Sequence, residues 1–167
     1  MQALTEVSPV PITYEDIEGE AKGYFHTTDH RIAIQEGMSQ SQTVKTAIHE
    51  VVHAKLHDWE RNQDIDAVLD KDRNTKEVEA ESVAYTVCQH FGIDTSDYSF
   101  GYIAGWSSDR DMKELKSSLD TIRKTASELI TGIEDRLAEL QKDRAVEQEQ
   151  NKESILLIQN DDVTQYS

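Results

Sequence analysis

Residues 49–53 read His-Glu-Val-Val-His, and this pentad restricts what the chain can fold into more than any other stretch. Two histidines four apart reach one metal ion only on an α-helix, where such residues lie one above the other on a single face. A tetrahedral Zn²⁺ then sits roughly 2.0–2.1 Å from each imidazole nitrogen. A catalytic zinc site takes three protein ligands and keeps one position open, so a second element must pack against this helix and bring the third. Glu50 directly follows the first histidine, the place of the general base in a metallopeptidase. The pattern is short, and its surroundings decide what it means.

Those surroundings read as two amphipathic helices. Ser41 is an N-cap for a helix running to about His57, with Val44, Ile48, Val51, Val52 and Leu56 on its apolar side and the two histidines flanking it. His57 continues the histidine face as a supporting or surface residue. A second helix spans about Lys76 to Phe91, closed by Gly92. Val83, Val87 and Phe91 form its apolar row, beside the small residues Ala80, Ala84 and Cys88. It opens Glu77-Val78-Glu79-Ala80-Glu81, in which Glu77 and Glu81 share a face and Glu79 points elsewhere. One of the two facing carboxylates can ligate the metal while the other hydrogen-bonds a ligand imidazole. Acids in a first turn also stabilise a helix through its dipole, but that reading ignores the pentad.

The rest of the chain predicts an α+β fold. Residues 1–13, with both prolines, read as an extended lead-in, and residues 14–108 as the main domain. Residues 23–34 read as a β-hairpin. Residues 58–75 and 93–108 read as loops, the latter carrying Tyr98, Phe100, Tyr102 and Trp106. From Met112 through Leu115, Leu119, Ile122, Ala126, Leu129, Ile133, Leu137 and Leu140 the apolar residues advance in steps of three and four. That stripe predicts a long amphipathic helix over 109–150, packed on the same chain or paired in a coiled coil. Residues 151–167 read as a polar tail in which Ile155–Ile158 is strand-like, the start of a further domain. The single cysteine, Cys88, allows no internal disulfide and reads as a small buried hydrophobe.

HExxH followed after some twenty residues by a helical ExxA-acid motif resembles the Glu-ligand branch of zincin metallopeptidases. More narrowly, TAIHEVVHAKLH together with EVEAESVAYTVCQHFGIDTSDYSFGYIAGWS is similar to the zincin-like metallopeptidase domain of bacterial polyvalent proteins. These are related to the C-terminal domain of ArdC-type antirestriction proteins and occur on mobile elements; the resemblance covers roughly residues 8–140. It implies a zincin-like fold, a Zn²⁺ cofactor held by His49, His53 and Glu77, and Glu50 as general base. Glu81 is then the supporting acid, or the ligand in place of Glu77. It also implies an edge strand that binds substrate backbone, for which Arg31–Ile34 is the candidate. Tyr85, Tyr98 and Tyr102 are the candidates for hydrogen-bonding a tetrahedral intermediate. The single-strand-DNA-binding domain of ArdC-type proteins has no counterpart, and Leu56 and Trp59 stand where an HExxHxxGxxH site needs Gly and His.

Charge narrows the function classes. With 33 acidic against 17 basic residues the net charge is −16, which repels phosphate backbones and anionic membranes, so this segment is not expected to bind nucleic acid. It shows neither a signal peptide nor an apolar run of 18 residues, which predicts a soluble, cytoplasmic protein. The leading expectation is a zinc-dependent endopeptidase acting on a protein or peptide. The competing one is a non-catalytic, zinc-stabilised interaction module of antirestriction type. A third is a metal-free scaffold that forms oligomers through the 109–150 helix.

Overall fold

A computed structural model describes residues 1–58 and 71–164. The 59–70 part of the segment read as a loop, including Trp59, lies outside the described residues. In chain order the elements are α1 (Gln2–Val7), β1 (Ile12–Glu15), β2 (Gly23–His26), β3 (Arg31–Gln35), α2 (Gln40–Leu56), α3 (Arg73–His90), α4 (Gly101–Ser108) and α5 (Met112–Thr164). This is α+β, with a small mixed sheet and one very long helix.

The sheet runs β1-β3-β2. The hairpin forms as its alternation predicts, Tyr24 opposite Ala33 and Phe25 opposite Ile32. β1 then adds in parallel on the other side of β3, Ile12 opposite Ile32 and Tyr14 opposite Ile34. Arg31–Ile34 is therefore the central strand, paired on both sides, and cannot serve as a docking edge. Continuous apolar character at Ile32, Ala33 and Ile34, all fully buried, is what a strand covered on both faces needs. Among the described residues the edge strand beside α2 is β2. Gly23 lets it come close: a Cβ there would meet Thr46 Cγ2 at 2.6 Å and the Ala33 carbonyl at 3.0 Å.

α2 starts one turn fraction earlier than the pattern suggests, because Ser39 rather than Ser41 caps it, accepting from the Gln42 N–H at 3.2 Å. α3 likewise starts at Arg73, since the Asp72 side chain accepts from the Thr75 N–H at 2.7 Å. Gly92 ends it in the left-handed region, φ +69°. The two helices share one core with β3, in which Ile48, Val51 and Val52 of α2 meet Ala80, Val83, Ala84, Val87 and Cys88 of α3. Burial pushes the Cys88 thiol up to about 11, so it stays a neutral hydrophobe.

Three local expectations fail. The opening residues are not extended: α1 buries Ala3 and Leu4 and packs on α5. Residues 101–108 are a helix rather than a loop. Ile155–Ile158 is helical, because α5 continues to Thr164. Helix-favouring Glu, Gln and Lys precede the run, and isoleucine costs less than about 0.7 kcal/mol per helical position, too little to break a helix already propagating. α5 packs on α1 and α3 of the same chain, through Ile122, Ala126, Leu129 and Ile133. Its inward face is rotated from the heptad reading: Leu119 is 63% exposed while Ser118 beside it is 5% exposed. Among the described residues no helix is long and apolar enough to cross a membrane.

The close approach at Gly23 makes a checkable statement. Gly23→Ala should destabilise the fold by about 1–3 kcal/mol in urea unfolding through overpacking. Gly105→Ala, whose Cβ meets nothing within 4 Å inside α4, should stabilise by about 0.5–1 kcal/mol. Equal stability of Gly23→Ala and the parent would refute the tight β2–α2 approach.

Candidate metal centre

The histidines of α2 and the acids of α3 step past one another in opposite directions. His53 stands opposite Glu77, and His49 opposite both Glu77 and Glu81, so the two helices run antiparallel with these faces in register. The Nε2 atoms of His49 and His53 are 3.1 Å apart. His49 Nε2 is 3.3 Å from Glu77 Oε2, and His53 Nε2 is 3.3 Å from Glu77 Oε1. Taking one ligand atom from each residue, the three lie within 4.8 Å of one another. The vertices of a zinc tetrahedron with bonds of roughly 2.0–2.1 Å stand about 3.3 Å apart. The donor set thus has the size and the N/N/O chemistry of a zinc site.

The charges fit as well. His49 Nδ1 donates to Glu81 Oε2 at 3.0 Å, since a carboxylate only accepts. That leaves Nε2 of the neutral ring as a lone pair facing the second imidazole. Burial alone would pull the His49 pKa down, yet hydrogen bonds to Glu77 and Glu81 and the charges of Glu50 and Glu77 push it up to about 10. Hydrogen bonds to His49 and His53 hold the Glu77 carboxyl well below its usual range. A cluster that binds a proton this firmly is one whose field calls for a cation.

Glu50, 9% exposed, projects from the next position on α2. Burial raises its carboxyl above the ordinary value, partly offset by the charges of His49 and His53 and by a hydrogen bond from the backbone of Phe25. β2 therefore presents its outer edge to Glu50. A cleft of about 350 Å³ opens here, lined among others by Gly23, Lys45, His49, Glu50, Glu81 and Tyr98. Lys45 lies one turn before His49 and pairs with Asp97 at 2.6 Å, its ammonium 5.8 Å from the Tyr98 ring centre.

Of the three tyrosines, Tyr98 lines the cleft. Burial, reinforced by the nearby anions, raises its phenol, so it remains a hydrogen-bond donor. Tyr85 packs its ring edge-on against Tyr98 and Phe100, centroids 5.5 and 4.9 Å apart, as part of an aromatic cluster. The Tyr102 side chain lies outside the described ones. Sequence reasoning missed Glu79. It points away from Glu77 and Glu81 as expected, but it is fully buried and meets His57 Nε2 at 2.9 Å. The signal for it was His57 itself, a third histidine at four-residue spacing.

Comparison with known proteins identifies the family. Residues 5–97 match the Peptidase M78 family model, described as the IrrE N-terminal-like domain. That match takes in the sheet, both helices and all the residues of the cluster, and the chain belongs to this family. It is also similar to an uncharacterized protein of Bacillus anthracis, 36% identical over 126 residues, which is 75% of this chain. The chain spans about a fifth of that relative's length, 20%. No solved structure matches it.

The geometry separates the two facing acids by measurement. Glu77→Ala should abolish stoichiometric zinc binding in equilibrium dialysis. Glu81→Ala should keep one zinc per chain at about 10–100-fold lower affinity, the usual effect of removing a ligand's hydrogen-bond partner. The reverse order would make Glu81 the ligand.

Proposed function

We propose that this chain is a zinc-dependent peptidase domain that cleaves a protein or peptide backbone, with His49, His53 and Glu77 as ligands and Glu50 as general base. The observation that carries the reading is a buried carboxylate beside a zinc-sized N/N/O triangle at the mouth of a cleft rimmed by the edge strand β2. Membership of a peptidase family supports it. Zinc, when bound, supplies Lewis acidity that polarises the scissile carbonyl and lowers the pKa of water toward about 7. Glu50 then accepts the water proton at its carboxylate and returns it to the leaving amine. Its raised pKa brings base and acid roles nearer to one working pH. The outer edge of β2 holds the substrate backbone by strand addition, in place of the central strand β3. Tyr98 stands in the cleft as the donor that meets the oxyanion.

The narrower likeness to polyvalent proteins of mobile elements belongs to this proposal. A domain that spans a fifth of a relative's length suits a processing unit within a larger polypeptide, acting on element-encoded or host proteins.

Glu50→Gln tests the mechanism. The variant should bind zinc like the parent and lose peptide-cleaving activity by at least about 10²-fold. Retained full activity would sink the assignment of Glu50 as base.

A further inference from the structure

We propose that Glu79, acting through His57, fixes which nitrogen of His53 is offered to the metal, and that Ser118 of the long helix holds Glu79 in place for this. The inference rests on the zinc reading above and adds the group that orients the second histidine. His49 has its own partner in Glu81. Among the described residues no carboxylate meets His53 Nδ1; that nitrogen instead faces His57 Nδ1 at 2.9 Å.

Proton bookkeeping decides the direction of this bond. Glu79 Oε2 can only accept, so His57 Nε2 carries hydrogen and donates to it at 2.9 Å. His57 is almost wholly buried, with a side chain 4% exposed, and where its Nδ1 faces His53 Nδ1 at 2.9 Å one nitrogen donates and the other accepts. With His53 Nε2 turned toward His49 Nε2 and Glu77, the hydrogen of that contact belongs to His53 Nδ1, and His57 Nδ1 accepts it. His53 must then donate from its own Nδ1, which leaves His53 Nε2 as the lone pair facing His49 Nε2 and Glu77. The chain Glu79–His57–His53 thus delivers a free nitrogen where a metal needs one. A protonated Nε2 would block it.

Among the described residues Glu79 is anchored from three sides. Besides His57 it accepts from Lys71 Nζ at 3.0 Å and from Ser118 Oγ at 3.1 Å on its other oxygen. Glu79 is 0% exposed and Ser118 5%, and a carboxylate so deeply buried stays charged only when its lone pairs are met. Ser118 explains the rotation of α5: the inward position next to Leu119 is given to a hydroxyl because Glu79 waits beneath it. It also lies beyond the family-matched residues, which end at 97, so the long helix contributes to the site itself. Glu79, His57 and Ser118 are positioning residues.

The test compares full-length Glu79→Gln, Glu79→Leu and Ser118→Ala with the parent, reading zinc affinity by competition with a chromophoric chelator. Glu79→Gln keeps an acceptor for His57 Nε2–H and should bind zinc within about threefold of the parent. Glu79→Leu should lose about 10–100-fold, and Ser118→Ala should fall between them. Equal affinity in the Gln and Leu variants would overturn the proposal. A readout that needs no variant is the ¹⁵N spectrum of the zinc-loaded parent, where His57 should be neutral and protonated at Nε2 alone. A His57 ring protonated at Nδ1 would overturn the proposal even if Glu79→Leu fails to fold. Failure of the parent to bind zinc would instead strike the underlying reading, which keeps the two failures apart.

Discussion

Three lone-pair donors crowded against one another repel unless a cation lies among them, and the helix pair of this protein is built to enforce that crowding. The antiparallel packing of α2 on α3 sets His49 and His53 against Glu77 at 3.1–3.3 Å. Behind them, Ile48, Val51 and Val52 interlock with Ala80, Val83 and Val87. Each fully buried aliphatic side chain contributes about 1.5–3 kcal/mol of apolar burial, so the interface can hold the donors together at a separation they would not choose. Small residues at Ala80, Ala84 and Cys88 allow the backbones that close approach. The same crowding lets Glu77 and Glu81 hydrogen-bond His49 and, against the effect of burial, push its pKa up to about 10.

How much of this the sequence shows follows from the range of each interaction. The pentad, the spacing of Glu77 and Glu81, Gly92 as a helix stop and the 23–34 hairpin are local patterns, and the structure places each of those elements close to where the pattern puts it. The parallel addition of β1 joins residues 20 apart without a turn signature, so Ile12–Glu15 reads as lead-in and β3 is mistaken for an edge. Strand order is a tertiary fact that alternation does not encode. Helix α4 is short, rich in glycine and aromatics, and its residues resemble loop composition. The distal part of α5 misleads in the other direction, since a β-branched cluster read in isolation outweighs the helix already running into it.

Glu79 and Ser118 are illegible for a different reason. An acid in the first turn of a helix is ordinarily a solvated, dipole-complementing residue, and a serine beside a leucine in a heptad stripe looks like its polar flank. Only their mutual burial gives them meaning, and mutual burial couples residues 39 apart. His57 holds the hint: three histidines at positions 49, 53 and 57 exceed what a three-ligand site with a glutamate needs, and the surplus one has to be explained.

The long helix then ceases to be an appendage. Its proximal half places Ala126, Leu129 and Ile133 in the core and Ser118 on Glu79, while from Arg144 to Asn160 it is exposed on every side. The family-matched residues 5–97 would, without it, leave Glu79 one hydrogen bond short and a face of α3 in water. Physically, the domain therefore runs to at least Leu140, the last apolar residue packed against the core. The same helix thus carries both the anchor for Glu79 and, at its other end, the exposed apolar turn at Ile155–Ile158.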